Sequence, residues 1–337
     1  MKSDLPLLIT MGDPNGVGPE ICAKLLKLKI KPKHPIAFVG DFDVLLRAFS
    51  LVGIKKEVIR IEDPAEAVKA NALHLIPVLA ADKFKEKIRP GKISKEAGRV
   101  SIQCVKTATE YCLEKKAAAI VTAPLCKEAV EKTVKGFQGH TEFIGEMCGD
   151  SKPVLCLVHD SWVIAHVSTH VSLKEACERV KADRILKTAA LLEDFLKRYK
   201  KMKTPHIGIA GLNPHAGEGG LFGTEEIEEI IPAIKLLKKR KMNVSGPLPG
   251  DVIFPQLRAK AFDGVVAMYH DQGHIVTKTM LFDLGKSRKT SGVNTTLGLP
   301  VIRTSVDHGT GFDIAWQGIA NANSLKDALE LADILAD

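Results

Sequence analysis

At 337 residues, with 45% hydrophobic and 26% charged side chains, the chain is long enough for two α/β domains or one elaborated unit. The net charge of +8 lies largely in Lys-rich stretches at 24–33, 197–203 and 235–241, and aromatics are only 5%, so base-stacking platforms are sparse. That combination argues against nucleic acid and for a small anionic ligand. No run reaches the roughly 18 apolar residues of a membrane span, and no apolar signal segment opens the chain. Seven cysteines without a C-x-x-C pair point to a reducing, cytoplasmic setting.

Residues 5–11 read as a first buried strand, feeding Gly12-Asp13-Pro14-Asn15-Gly16-Val17-Gly18-Pro19-Glu20 and a helix over 21–28. Pro19 suits the first helical position and Glu20 the positive helix end. Such a glycine loop can cradle an anion or be only a tight turn, and its spacing is not G-x-G-x-x-G. A strand at 36–40 precedes a helix at 41–51, a helix spans 98–115, and a strand at 117–122 ends in Ala123-Pro124-Leu125-Cys126-Lys127. This alternation predicts an α/β fold with a largely parallel sheet.

A polar turn at 136–142 places His140 and Thr141 just before a helix at 143–148. Strands at 154–158 and 162–167 form a hairpin through His159-Asp160-Ser161, and one long helix is expected over 173–199. A strand at 207–211 runs into Leu212-Asn213-Pro214-His215-Ala216-Gly217-Glu218, and Thr224 is expected to cap a helix at 225–239. Residues 246–251 read as a loop presenting Asp251. A strand at 264–269 leads into His270-Asp271-Gln272-Gly273-His274, with Gly273 forming a turn. Residues 278–294 contain the basic loop Gly285-Lys286-Ser287-Arg288-Lys289-Thr290-Ser291-Gly292. A strand at 301–305, a loop from His308 and a helix at 324–336 close the chain.

His170, His215 and His270 each follow a strand, where open α/β sheets place their ligands. A lone histidine there is more often structural; three in the same context suggest one site with an open metal position. His140, Thr141, Lys278, Asn294 and Arg303 form a donor-rich set suited to phosphate, with Arg303 set inside an apolar run. His308, Gly309, Thr310, Asp313 and Asn321 make a third group, in which a carboxylate near a ribose would select NAD over NADP.

Five motifs then act together: Gly12 to Glu20 as quoted, Gly139-His140-Thr141-Glu142, Gly211 to Glu218, Tyr269-His270-Asp271-Gln272-Gly273, and Arg303-Thr304-Ser305-Val306-Asp307-His308-Gly309-Thr310. Together they resemble the 4-hydroxythreonine-4-phosphate dehydrogenase family of pyridoxine (pyridoxal phosphate) biosynthesis, over nearly the whole chain. Gly16-Val17-Gly18-Pro19-Glu20 and the 308–321 segment more distantly resemble isocitrate and isopropylmalate dehydrogenases. The resemblance implies an isocitrate/isopropylmalate dehydrogenase-like α/β fold of two α/β domains with a central cleft. The expected domains are 1–134 with 300–337 on the cofactor side, and 135–299 for metal, substrate and dimer contacts. It implies a cytoplasmic homodimer with active sites shared across the interface, using NAD and one divalent ion per subunit, Zn2+ first and Mg2+ or Co2+ as alternatives. His170, His215 and His270 would hold the metal, and His140, Thr141, Lys278, Asn294 and Arg303 the substrate. Asp251, Asp271 and Lys278 would be catalytic, and Gly16, Gly18, His308, Gly309, Thr310, Asp313 and Asn321 would bind cofactor.

The implied reaction is oxidation and decarboxylation of 4-phosphohydroxy-L-threonine to 3-amino-2-oxopropyl phosphate. The alternative substrate is 4-phospho-D-threonate or 4-phospho-D-erythronate. Two departures bear on that choice, the longer 278–294 segment and Leu125-Cys126 before Lys127, and His274 after Gly273 resembles the relatives that oxidise the phosphorylated sugar acids.

Overall fold

A computed structural model describes residues 4–149, 152–159, 162–281 and 292–337. The basic loop at 285–292 and the 160–161 turn of the expected hairpin lie outside these residues, apart from Gly292. The chain forms two units, residues 1–153 with 299–337, and residues 154–298.

The first unit contains β1 (Leu7–Thr10), α1 (Gly18–Leu25), β2 (Ile36–Gly40), α2 (Phe42–Leu51), β3 (Val58–Ile61), α3 (Glu66–Ala72), β4 (Ile76–Ala80), α4 (Lys95–Leu113), β5 (Ala119–Thr122), α5 (Lys127–Glu131) and α6 (His140–Met147). The second contains β6 (Val154–His159), β7 (Trp162–His166), α7 (Leu173–Glu178), α8 (Ala182–Tyr199), β8 (Ile207–Ala210), α9 (Ile231–Lys239), β9 (Val244–Leu248), α10 (Gly250–Arg258), β10 (Gly264–Ala267), α11 (His270–Leu281) and β11 (Val293–Leu297). The chain then returns to the first unit with β12 (Ile302–Val306) and α12 (Asn323–Ala336). Helix α6, expected with the second domain, is therefore counted with the first.

In the first unit the strand order is β3-β4-β2-β1-β5-β12, every pairing parallel. β1, β2 and β5 are buried along their whole length, which is why they read as continuous apolar runs rather than alternating ones. Helix α4 packs on β1, β2 and β5, and α12 on β1, β5 and β12. Parallel pairing brings the carboxyl ends of β1, β5 and β12 side by side, so the loops after them converge.

The second unit is mixed: β11-β6-β7 pair antiparallel, and β7-β10-β8-β9 pair parallel. Its core gathers Leu157, Trp162, Ile164, Ile253, Phe254, Leu257, Phe262 and Val265. Here β7, β10 and β8 lie side by side and parallel, and each delivers a histidine beyond its carboxyl end. Among the described residues no helix is long and apolar enough to cross a membrane.

Several local expectations change. The helix predicted over 173–199 is two helices, because Val180 turns inward to 1% exposure and the first N–H of α8, at Ala182, donates to Glu229 Oε2 at 2.8 Å. The helix at 225–239 opens with a π turn, Glu226–Ile230, where Pro232 at the start of α9 cannot donate. Thr224 serves it through its backbone carbonyl, which accepts from Glu228, and not through a capping side chain. Residues 246–251 are not a loop: they complete β9 and begin α10, placing Asp251 in a helical first turn. Gly273 forms no turn and lies inside α11.

Gly98, inside α4, shows how close the packing is. A Cβ there would sit 2.1 Å from the Ala129 carbonyl oxygen of α5. Helix propensity alone predicts that Gly98→Ala gains about 1 kcal/mol, whereas overpacking costs about 1–3 kcal/mol. Thermal unfolding should therefore show a lower Tm for Gly98→Ala, and a raised Tm would contradict this packing.

Candidate functional site

The first unit concentrates cations around Arg303. β12 carries this residue into the sheet beside β5, where it is 3% exposed. Its Nη2 donates to Thr122 Oγ1 at 2.9 Å, and its Nη1 reaches Thr141 Oγ1 at 3.4 Å. Burial lowers the guanidinium pKa to about 10, against an upward pull from Glu142. His140 and Thr141 open α6, and are not in a turn before it. The His140 residue is half-buried, but its Nε2 is sealed from solvent and has no hydrogen-bond partner. Burial, then Arg303 and Lys127, push its pKa well below the usual histidine range. The result is a neutral imidazole beside a fixed guanidinium and an ammonium, an arrangement that favours an anion without an added titrating charge.

Asp13, after β1, is fully buried and accepts from Asn15 N at 2.8 Å. Burial raises its pKa to about 6, although backbone N–H groups of Asn15 and Cys126 work the other way. Sequence reasoning gave Asp13 and Lys127 no site role; the signal was their position after adjacent strands, which only the strand order reveals.

Gly16 and Gly18 permit packing. A Cβ on Gly16 would lie 2.9 Å from Thr310 O, and one on Gly18 would lie 2.2 Å from Met11 O. Gly309 differs: a Cβ added there would meet nothing within 4 Å. His308 is exposed and its Nδ1 donates to Gly309 O at 2.8 Å. Asp313 and Asn321 are exposed, and Thr310 is half-buried with its carbonyl accepting from Val17 N at 2.8 Å.

In the second unit, His170 and His270 have ring centroids 5.5 Å apart. His270 Nδ1 bonds Asp271 Oδ1 at 2.7 Å, an arrangement that turns Nε2 away from the carboxylate as the nitrogen that could ligate a metal. Its ring face stacks on His274 at 3.7 Å and 10°. His166, 5.0 Å from His274 by centroids, lies behind, and a Cβ on Gly273 would be 2.2 Å from His166 Nε2. Glycine is required in this helix because the imidazole occupies the space. Burial, and then His274, lower the His166 pKa to about 3; burial, and then His270, lower that of His274 to about 4. His166 was not anticipated as part of this cluster. A cavity of about 440 Å3 is lined by Ser168, His170, Tyr269, His270 and Asp271, among others.

His215, beyond β8, has its ring 6.0 Å from that of Phe222. It begins a run of left-handed residues, φ 53° at His215, 52° at Ala216, 81° at Gly217, 42° at Glu218 and 67° at Gly219. The buried Glu226 carboxylate organises the run, accepting from Leu212 N at 2.7 Å, Asn213 N at 2.8 Å and Asn213 Nδ2 at 2.8 Å. Gln272 ties the neighbouring strand ends together, accepting from Met268 N and donating to Gly211 O. Among the described residues no three His, Cys, Asp or Glu are grouped to hold a metal ion. Lys278 is half-buried in α11, Asp251 is exposed in α10, and Asn294 in β11 has a sealed Oδ1 without a hydrogen-bond partner.

Residues 31–332 match the family model of the pyridoxal phosphate biosynthetic protein PdxA. The chain belongs to the PdxA family. It is 41% identical over 331 residues to the D-threonate 4-phosphate dehydrogenase of Salmonella typhimurium, covering 97% of this chain and 98% of that one. It is 39% identical over 329 residues to the 4-hydroxythreonine-4-phosphate dehydrogenase of Beijerinckia indica, covering 98% and 94%. The crystal structure of 4-hydroxythreonine-4-phosphate dehydrogenase from Klebsiella pneumoniae superposes with a TM-score of 0.82 at 38% identity, covering 98% of each chain. Family membership makes the chain an oxidoreductase acting on a CH–OH group.

The depressed His140 pKa has a testable sign. Below the unfolded value of about 6.5 the unfolded chain binds a proton that the folded site resists, so stability falls as pH drops through that value. Urea unfolding at pH 5.5 and 7.5 should show a smaller pH dependence for His140→Gln than for the unsubstituted protein. Identical dependence would remove His140 from the buried cationic site.

Proposed function

We propose that this protein is an NAD-dependent dehydrogenase that oxidises C3 of a 4-phosphorylated four-carbon hydroxy acid, with D-threonate 4-phosphate as substrate. The observation that carries the reading is the buried Arg303 beside a neutral His140, with Thr122 and Thr141 hydroxyls within reach. Such a site suits a phosphoryl group, for which guanidinium and hydroxyl donors are geometrically matched. The choice of sugar acid rests on the name of the Salmonella relative. 4-Phosphohydroxy-L-threonine is the second reading, favoured by the Beijerinckia and Klebsiella names.

In this reading Arg303, Thr141 and His140 hold the phosphoryl group, with Lys278 and Asn294 also on substrate. His308, Gly309, Thr310, Asp313 and Asn321 serve the cofactor, the open backbone at Gly309 allowing close approach. Gly16 supports that loop by permitting its packing against Thr310 and Phe312, and Gly18 permits the close approach of α1 to Met11. His170 and His270 are neighbouring imidazoles, and with His215 they are the proposed ligands of a divalent ion. The imidazole donor set suits Zn2+ or Co2+ better than Mg2+. Bound beside these residues, NAD would supply hydride acceptance and the ion Lewis-acid polarisation of the substrate oxygens.

Asp271 keeps the His270 ring oriented, and Asp251, Asp271 and Lys278 are the groups proposed to move protons. Removal of hydride from C3 and of the hydroxyl proton leaves a 3-keto acid. That β-keto acid loses CO2 and is reprotonated at C2, giving dihydroxyacetone phosphate from the sugar acid, or 3-amino-2-oxopropyl phosphate from the amino acid. Cys22, Cys104, Cys112, Cys126, Cys156 and Cys177 are free thiols, which supports a reducing cytoplasm, and exposed Leu221, Phe222 and Ile227 support a homodimer.

Steady-state NADH formation separates the readings. D-Threonate 4-phosphate should give the higher kcat/KM, 4-phosphohydroxy-L-threonine a lower one, and EDTA should abolish both, with recovery on adding Zn2+ or Co2+. A preference for the amino acid reverses the substrate assignment, and no NADH from either substrate overturns the reading.

A further inference from the structure

Glu20 is fully buried in α1 and takes no part in the sites described above. Its Oε1 accepts from Ala320 N at 2.7 Å and its Oε2 from Gly318 N at 3.1 Å. Lys24, one turn on, donates to Ala320 O at 2.7 Å and stands 3.4 Å from Glu20 Oε1. The carboxylate therefore grips two backbone N–H groups of the 318–320 turn, while its own counter-charge grips the same turn by a carbonyl.

The rest of that segment is joined to the loop after β1. Val17 N donates to Thr310 O at 2.8 Å, and Trp316 Nε1 donates to Pro14 O at 2.8 Å. Trp316 has φ 62°, a left-handed conformation that a bulky residue keeps only when its surroundings fix it, and the Arg47 guanidinium lies 5.3 Å from its ring. A Cβ on Gly311, at φ 51°, would approach Val17 Cγ1 to 2.9 Å. Residues 310–320 are thus held at both ends by Gly12 to Lys24, and the residues exposed between and beside these ties are His308, Gly309, Asp313, Gln317, Ile319 and Asn321.

We infer that Glu20, with Lys24, is a positioning residue for the cofactor: it fixes the 310–320 segment in the shape that presents Gly309, Asp313 and Asn321 to NAD. The inference rests on the cofactor reading proposed above. It recasts Gly16 to Glu20 as the support of a binding loop, since Gly16 and Gly18 face Thr310 and Met11 and have no open space for a ligand. Preorganisation of this kind acts on affinity for the group bound by the loop and leaves other binding groups untouched.

The test compares Glu20→Ala, Glu20→Gln and the milder Lys24→Met with the unsubstituted protein, using calorimetric titration of NAD alone and steady-state kinetics. Trp316 also reports the loop directly, because the only other tryptophan, Trp162, is buried in the second unit. Glu20→Ala should weaken NAD binding at least fivefold and raise KM for NAD in parallel. The kcat at saturating NAD and KM for the hydroxy acid should stay within about twofold. Ligand-free Trp316 emission should shift to the red. Glu20→Gln, which keeps one accepting oxygen, should recover part of the affinity, and Lys24→Met should show a smaller change in the same direction. The inference is overturned if folded Glu20→Ala or Lys24→Met binds NAD as the parent does, or if KM for the hydroxy acid rises equally. Absence of NAD binding by the parent overturns the cofactor reading itself and this inference with it, a result distinguishable from failure in the variants alone.

Discussion

The structure of the first unit depends on how a guanidinium is kept inside a parallel sheet. Arg303 occupies a strand position followed by the buried Thr304 and Ser305, and it is itself 3% exposed. A buried cation is expensive unless its donors are met, and Thr122 at the end of β5 and Thr141 at the start of α6 meet two of them. Burial, and then this charge, keep the neighbouring His140 neutral. An entering anion would be desolvated among fixed donors instead of mobile water, which is the condition under which such contacts act strongly. Fold and site are therefore the same constraint: the parallel pairing of β5 with β12 sets where the charge lies, and the charge sets what can bind.

Buried carboxylates perform the corresponding task for the loops. Glu20 holds the 318–320 turn, Glu226 holds the left-handed run from His215, and Asp41 accepts from Val44 N and Phe84 N to join α2 to the segment after β4. In each case an acceptor-only side chain satisfies backbone N–H groups that have no partner in sheet or helix. Left unmet, each such group would cost about 1–3 kcal/mol. This explains how non-glycine residues such as His215, Ala216 and Trp316 persist at positive φ: the cost is offset by over-determined neighbours rather than by the residues themselves.

Much of this was legible in the sequence. Apolar runs of strand length, broken by Gly, Asn, Asp and His, marked the strand ends, and the three histidines after β7, β8 and β10 were found by that pattern alone. Long-range registry was not legible. The adjacency of β1, β5 and β12 makes Asp13, Lys127 and Arg303 residents of one region, yet they are far apart in the chain and share no motif. Gly273 read as a turn because glycine usually is one; it lies inside α11, and it is glycine there because His166, over a hundred residues earlier, fills the space of a side chain. Asp251 and His140 read as loop residues for a related reason, since polar residues around Gly and Pro look alike whether they precede a helix or form its first turn.

The central claim is that Arg303 binds the phosphoryl group of the substrate. It is tested most directly by comparing the parent and Arg303→Ala on the phosphorylated hydroxy acid and on the same acid without phosphate. A charge-assisted hydrogen bond contributes about 1.5–3 kcal/mol, so the substitution should lower kcat/KM at least about tenfold on the phosphorylated substrate. The difference between the two proteins should nearly vanish on the dephosphorylated one, because the partner group is then missing from both. An equal loss on both substrates would contradict the account, and would assign Arg303 to the fold or to another part of the substrate.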